Sequence, residues 1–376
     1  MKKLTAVLLV LCMAFGLFAT GCQKENENVT VKVEDESYYS QYKDKGYEIN
    51  VYNWGEYIST GADDTMDVIG EFEKLSGIKV NYTNFATNEE LYAKLRTGAV
   101  SYDVIIPSDY MIGRMAKEGM LEPLNLENIP NYKFIDPQFT SKSYDPDNTY
   151  SVPYTWGTVG IIYNKTMVDE ADVDTWDILW NEKYAGNILM FSNSRDAFGI
   201  ALMKLGYNVN TEDEGEIKLA AEELKKQKPV IQAYVMDEIF DKMESGEAAV
   251  APYYAGDAIT MIAEAPDLAF SVPKEGTNLF IDAMCIPKGA KNKELAEVFI
   301  NFMCETEVAK ANIETIGYST PQVKALEALD EDLRNNPIAY PPEDVIQNPQ
   351  VFENLSDATN KLYDKLWTEI LASSGH

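Results

Sequence analysis

Residues 47–82, YEINVYNWGEYISTGADDTMDVIGEFEKLSGIKVNY, decide the fold class. Ile49 to Asn53 is a strand-like run, Thr65 to Leu75 repeats apolar residues at helical spacing and stops at Gly77, and Ile78 to Tyr82 is strand-like again. The order is β, α, β, the unit of a parallel sheet with a crossover helix. A second helix over Asn88 to Thr97 starts at a Thr87 or Asn88 cap, carries Glu89 and Glu90 in its first turn and ends at Gly98. Asp103 to Ile106 is a short apolar strand closed by Pro107-Ser108. Apolar strands between helices predict an α/β fold, a mostly parallel sheet covered on both faces.

Further along, Val152 to Tyr163 reads as one long extended run, after which the βα alternation restarts with Trp176 to Trp180, Asn187 to Phe191 and a helix over Phe198 to Leu205. It continues through the helix Glu214 to Lys226, the pattern Glu238 to Met243, the strand Ala248 to Tyr254 and the helix Asp257 to Glu264. A second long run, Leu279 to Pro287, precedes Lys291 to Cys304, where Leu295, Val298, Phe299 and Phe302 share a helical face, and Leu355 to Leu371 is the last helix. About 330 residues are too many for one typical core, which favours two lobes. The two long runs are expected to cross between them, dividing the chain into 46–155 with 286–335 and 156–285 with 336–376. Such a hinged design buries a ligand by closing one lobe on the other.

The chain opens as an export signal. Basic Lys2 and Lys3 precede an apolar stretch, Leu4 to Phe18, too short for a comfortable membrane span, and Ala19-Thr20-Gly21-Cys22 suits cleavage before the cysteine. Cys22 would then begin the mature chain and carry lipid, anchoring the protein to the outer face of the cell membrane or in the periplasm. The alternative is ordinary secretion, with Cys22 inside a discarded peptide. Gln23 to Lys45, polar with scattered apolar residues, reads as a flexible tether.

Composition excludes several classes. Without Lys2 and Lys3 the chain has 30 basic against 61 acidic residues, a net charge of −31. That argues against nucleic acid as a partner and attracts small cations. The single histidine is His376, so histidine-based nucleophilic machinery and His-ligated metal sites are unavailable. Cys285 and Cys304 sit in apolar patterns and are expected to be buried thiols. Asp145-Pro146-Asp147-Asn148-Thr149 lacks the glycine and the terminal glutamate of a calcium loop and reads as a surface turn. No phosphate-binding glycine loop occurs, the Tyr253-Tyr254 pair is weak support for a ferric site, and no cofactor or metal is expected.

Ligands of open α/β sheets bind beyond the carboxyl ends of strands. Five such places offer carboxylates, four of them beside an aromatic: Trp54-Gly55-Glu56-Tyr57, Ser108-Asp109-Tyr110, Asn193-Ser194-Arg195-Asp196, Tyr254-Ala255-Gly256-Asp257 and Phe280-Ile281-Asp282. Singly each is a turn or a cap. Together they suit an organic cation, the carboxylates pairing ammoniums and the rings covering methylenes.

With Tyr52-Asn53-Trp54-Gly55-Glu56-Tyr57, Ala197-Phe198 to Lys204-Leu205-Gly206-Tyr207, Pro273-Lys274-Glu275-Gly276, Pro287 to Lys291-Asn292-Lys293 and Glu314-Thr315-Ile316-Gly317-Tyr318, the sequence resembles the bacterial spermidine/putrescine-binding proteins of polyamine transporters. The resemblance runs from about Tyr47 to the last helix. It implies a two-lobed, periplasmic-binding-protein-like fold and a non-enzymatic, monomeric solute-binding component that delivers a polyamine to ABC transporter permease subunits served by a separate ATPase. By the same resemblance Trp54 and Tyr57 flank the ligand, Glu56 faces one terminal amine, and Ser108 and Tyr110 complete that side. Asp282 holds the other end, Asp196 and Asp257 stand where the family places acids, and Tyr254, Phe280 and Tyr318 where it places aromatic walls. Asn193 replaces an aspartate, and Tyr254 and Phe280 replace tryptophans, of spermidine-binding members. The neutral Asn193 tilts the reading toward putrescine, while Asp109 adds an acid near the cleft. The alternatives are an exported binder of another solute, such as a sugar, and a carboxylate-based glycosidase built on Glu56 and Asp282.

Overall fold

The computed structural model describes residues 31–98, 100–342, 345 and 349–373. The export signal, Cys22, residues 23–30 of the expected tether and His376 lie outside them. After a short helix α1 (Glu36–Ser40) the expected alternation appears as β1 (Glu48–Trp54), α2 (Val68–Ser76), β2 (Lys79–Phe85), α3 (Asn88–Thr97), β3 (Val104–Ile105) and α4 (Asp109–Lys117). β1 pairs in parallel with β2 and with β3. α3 has the bounds its caps dictate. Thr87 Oγ1 accepts the Glu90 N–H at 3.1 Å, satisfying one donor that has no partner inside the helix.

After β4 (Ser151–Asn164) come β5 (Ile188–Phe191), α5 (Ser194–Lys204), α6 (Glu214–Gln227), β6 (Ile231–Val235), α7 (Ile239–Glu244), β7 (Val250–Tyr254), α8 (Ala255–Glu264) and β8 (Leu268–Ser271). β5 pairs in parallel with β6 and β7, so a second parallel block repeats the first. β9 (Leu279–Cys285) returns beside β4, followed by α9 (Lys293–Met303), α10 (Thr306–Ile316), α11 (Val323–Ala328), α12 (Glu331–Arg334) and α13 (Asp357–Ala372). Among the described residues the strand order is β2-β1-β3-β9-β4-β7-β5-β6, with β8 also on β4. The two long runs join the blocks: β4 lies antiparallel to β9 over Ser151–Thr158 and to β7 and β8 beyond Val159.

Each block carries its own helical packing. Phe72 of α2 meets Phe299 of α9 edge to face at 5.1 Å, and Phe198 of α5 meets Tyr363 of α13 at 4.5 Å. Cys285 and Cys304 are buried free thiols, and burial pushes both upward in pKa, which keeps them protonated and unreactive. No helix among the described residues is long and apolar enough to cross a membrane.

Three differences from the sequence reading have local causes. α5 begins at Ser194, four residues before Phe198, because Asn193 Oδ1 caps it by accepting the Arg195 N–H at 2.9 Å. Trp176–Trp180 is a 3-10 turn, not an element of the βα alternation, capped by Thr175. Residues 31–45 are not a flexible tether. Val31 and Tyr39 are buried, and the Tyr39 hydroxyl donates to Glu305 Oε1 at 2.6 Å and accepts from Asn301 Nδ2 at 2.7 Å. The segment is polar in composition, yet Tyr39 packs on α9, where its ring meets Phe302, and Val31 donates its N–H to Glu71 of α2. Tyr39→Phe is therefore expected to cost about 1–3 kcal/mol, the penalty for leaving buried partners unsatisfied. A lowered urea midpoint checks this; an unchanged one would mean the segment is not docked in solution.

Candidate functional site

All thirteen residues singled out above line one cavity. Trp54, Glu56 and Tyr57 end or follow β1; Ser108, Asp109 and Tyr110 lie between β3 and the first turn of α4. Asn193 and Asp196 cap and begin α5, while Tyr254 and Asp257 join β7 to α8. Phe280 and Asp282 lie on β9, and Tyr318 follows α10. Parallel blocks bring the carboxyl ends of their strands together, which is why residues scattered over 265 positions share one hollow.

The acids are braced by tyrosines. Tyr57 O–H donates to Asp282 Oδ2 at 2.5 Å while the Thr155 hydroxyl donates to Tyr57, Tyr254 O–H donates to Asp196 Oδ2 at 2.9 Å, and Tyr318 O–H donates to Asp257 Oδ2 at 2.9 Å. Asn193 Nδ2 also donates to Asp196 Oδ2, at 2.7 Å. Tyr110 O–H reaches Glu89 at 3.0 Å, and Asn88 Nδ2 holds the Ser108 hydroxyl at 3.0 Å. The braces fix each carboxylate while the rings form the walls: Tyr57 meets Tyr318 at 4.8 Å, and Tyr254 meets Phe280 at 5.4 Å, both edge to face. Tyr318 reaches Asp257 because residue 256 is glycine; a Cβ there would lie 2.1 Å from a carbon of the Tyr318 ring.

Asp109, Asp196, Asp257 and Asp282 are each at most 8% exposed. Burial pushes Asp282 up to about 6 and Asp196 up to about 7, and holds Asp109 and Asp257 well above the ordinary carboxylate range. The Asp282 charge adds to the rise of the other three; the Tyr254 and Tyr318 hydroxyls oppose the rise at Asp196 and Asp257, and the Ser108 hydroxyl, then that of Tyr57, oppose it at Asp282. No ion pair among the described residues reaches any of the four. Arg195, buried behind the wall, donates to the Val209 and Glu353 carbonyls and to Asn210, and lies 4.5 Å over the Phe352 ring. Glu56 is exposed at the rim, with its backbone in the left-handed region (φ 46°).

Other lining residues were missed. Asp237 and Met236 follow β6, Tyr253 is the next-to-last residue of β7, and Asn88 starts α3. Asn88, Met236 and Asp237 obey the same strand-end rule. Asp237 approaches the end of β1 closely, since a Cβ on Gly55 would lie 2.2 Å from its Oδ2. Phe240, Asn278 and Phe352 complete the lining, and for Phe352 no sequence pattern gave a signal.

Chemically, the cavity offers several anionic acceptors, flat apolar walls and, among the described residues that line it, no positively charged side chain. It suits a slender ligand that brings positive charge at separated points.

The sequence profile of the family described as bacterial extracellular solute-binding protein matches residues 67–341. The chain is 36% identical over 324 residues to the spermidine/putrescine-binding periplasmic protein of Escherichia coli (strain K12), covering 85% of this chain and 90% of that protein. It is 30% identical over 341 residues to the putrescine-binding periplasmic protein PotF of the same organism, covering 86% and 90%. Among solved structures, the spermidine/putrescine ABC transporter substrate-binding protein PotD of Streptococcus pneumoniae superposes with a TM-score of 0.71 at 37% identity, covering 87% of this chain and 99% of that one. The architecture is accordingly the two-lobed α/β fold of periplasmic binding proteins. The chain belongs to the bacterial extracellular solute-binding protein family.

Proposed function

We propose that this chain is the polyamine receptor of an ABC importer, capturing putrescine or spermidine in the cavity and delivering it to a membrane permease driven by a separate ATPase. The names of the relatives support the ligand class. The observation that carries it is the set of four buried aspartates without a cationic partner, walled by aromatic rings. A neutral ligand such as a sugar would leave those charges buried and unpaired, at several kcal/mol each, whereas an ammonium neutralises them where they stand. Trp54, Tyr57, Tyr254, Phe280 and Tyr318 cover the methylenes. Glu56, Asp196, Asp257 and Asp282 take ammoniums, Ser108, Tyr110 and Asn193 supply polar contacts beside them, and Asp109 adds a further buried charge. The bodies 46–155 with 286–335 and 156–285 with 336–376 close on the amine, and β4 and β9 are the strands that bend. The receptor acts as a monomer without catalysing a reaction, held by lipid on Cys22 at the outer face of the cell membrane.

The experiment is thermal unfolding of the chain from residue 23 onward with putrescine, spermidine, spermine and a panel of sugars. A ligand that binds only the folded state stabilises it by about 2.7 kcal/mol at a hundred times its Kd. The expected result is a rise in Tm with micromolar putrescine or spermidine and none with the sugars. A rise with a sugar and none with any amine overturns the reading.

A further inference from the structure

The cavity is not closed on every side. A second hollow of about 540 Å³ shares Gly55, Glu56, Tyr57, Phe240 and Asp257 with it, so the two are continuous past Asp257. The further lining of this hollow comes from Thr60, Ala62 and Thr65 after β1, Tyr82 of β2, Thr260 of α8 and Thr315 of α10. Hydroxyls and a ring face the space there. The one charged side chain that this further lining adds, Glu314, is held by Lys310 at 2.5 Å. Glu56, which lines both spaces, keeps its backbone in the left-handed region, a strain that persists only where the surroundings fix it. On the α5 side the cavity is shut. Phe352 lies against α5, where a Cβ on Gly199 would come 2.7 Å from its ring, and the Arg195 guanidinium covers that ring at 4.5 Å. Neither Asp196 nor Phe352 lines the second hollow.

We propose that the second hollow is an extension subsite, in which a polyamine continues past the ammonium at Asp257 as a neutral polar arm, so that the receptor takes polyamines acylated beyond that ammonium as well as the bare amines. The proposal rests on the polyamine reading of the cavity. The ligand is enclosed at the α5 side and left open at the Asp257 side, so added length has one way to go. An amide-tipped arm suits these walls. Its methylenes lie on Tyr82 and Phe240, its N–H and carbonyl meet threonine hydroxyls, and it brings no charge that the hollow would leave unpaired.

The test is titration calorimetry of the chain from residue 23 onward with two pairs of ligands: putrescine against monoacetylspermidine acylated on its aminopropyl end, and spermidine against monoacetylspermine. Within each pair the ammoniums agree in number and spacing, and the second ligand adds only an acetamidopropyl arm. The pair with the tighter parent amine is read. The wild type should bind the armed ligand within about tenfold of its parent. Thr60→Trp and Ala62→Trp, at exposed positions where an indole fills the hollow, should each lower the affinity of the armed ligand relative to its parent by at least about tenfold. Because both ligands meet the same variant, a general folding defect cancels. A wild type that binds the armed ligand more weakly than that limit, or a ratio unchanged in both variants, overturns the extension subsite while leaving the polyamine reading intact. A wild type that binds neither parent amine removes that reading, and the inference with it.

Discussion

Asp282→Asn should weaken polyamine binding by about 3–5 kcal/mol, roughly two to three and a half decades in Kd, the cost of leaving one member of a buried charge pair alone. Among the four buried aspartates, Asp282 is the one whose charge acts on all the others. Asparagine keeps the shape and can still accept from the Tyr57 hydroxyl, so the brace survives while the charge goes. The ligand-free protein should respond in the opposite sense. Burial raises Asp282 to about 6, so at neutral pH the wild type holds an ionised group that its surroundings disfavour, and asparagine relieves that cost. The expected pattern is therefore a higher Tm without ligand and a Kd raised at least about a hundredfold, by unfolding and by calorimetry. Unaltered affinity would remove Asp282 from the ligand's contacts.

The same opposition explains how much of the site was legible. Strand ends could be found because the strands before them are short apolar runs with turn chemistry behind them, as at Tyr52-Asn53-Trp54-Gly55 and Ile105-Ile106-Pro107-Ser108. β6 carries no such signal: four of its five residues are half-buried, with no alternation, so the strand and the Asp237 that follows it went unseen. Phe352 sits in an irregular stretch before α13 and reaches the cavity through tertiary packing under Arg195. The docking of Tyr39 is of the same kind, decided by the surface that α9 presents rather than by the segment's own composition. The bracing of three aspartates by Tyr57, Tyr254 and Tyr318 joins residues 225, 58 and 61 positions apart, separations over which local patterns carry no information.

Affinity should fall roughly a thousandfold between pH 8 and pH 5, because Asp196, at about 7, and Asp282, at about 6, must both ionise to pair an ammonium. The amine stays charged over this range, so the loss belongs to the protein. Asp109 and Asp257, also raised by burial, act in the same direction. The sign for stability is reversed. An acid whose folded pKa lies above its unfolded value stabilises the folded state below the unfolded pKa, and that contribution disappears as pH rises through the folded pKa. For Asp196 and Asp282 the window runs from about 4 to about 7, so over it these groups make the ligand-free protein less stable as pH rises, while bound amine restores what ionisation removes. Spermidine should therefore raise the Tm strongly at pH 8 and very little at pH 5, with proton release on binding near pH 6.5, visible as a calorimetric heat that varies with the buffer's ionisation enthalpy. A Kd that stays level from pH 8 to pH 5 would mean that the ligand's ammoniums are neutralised by acids other than these two.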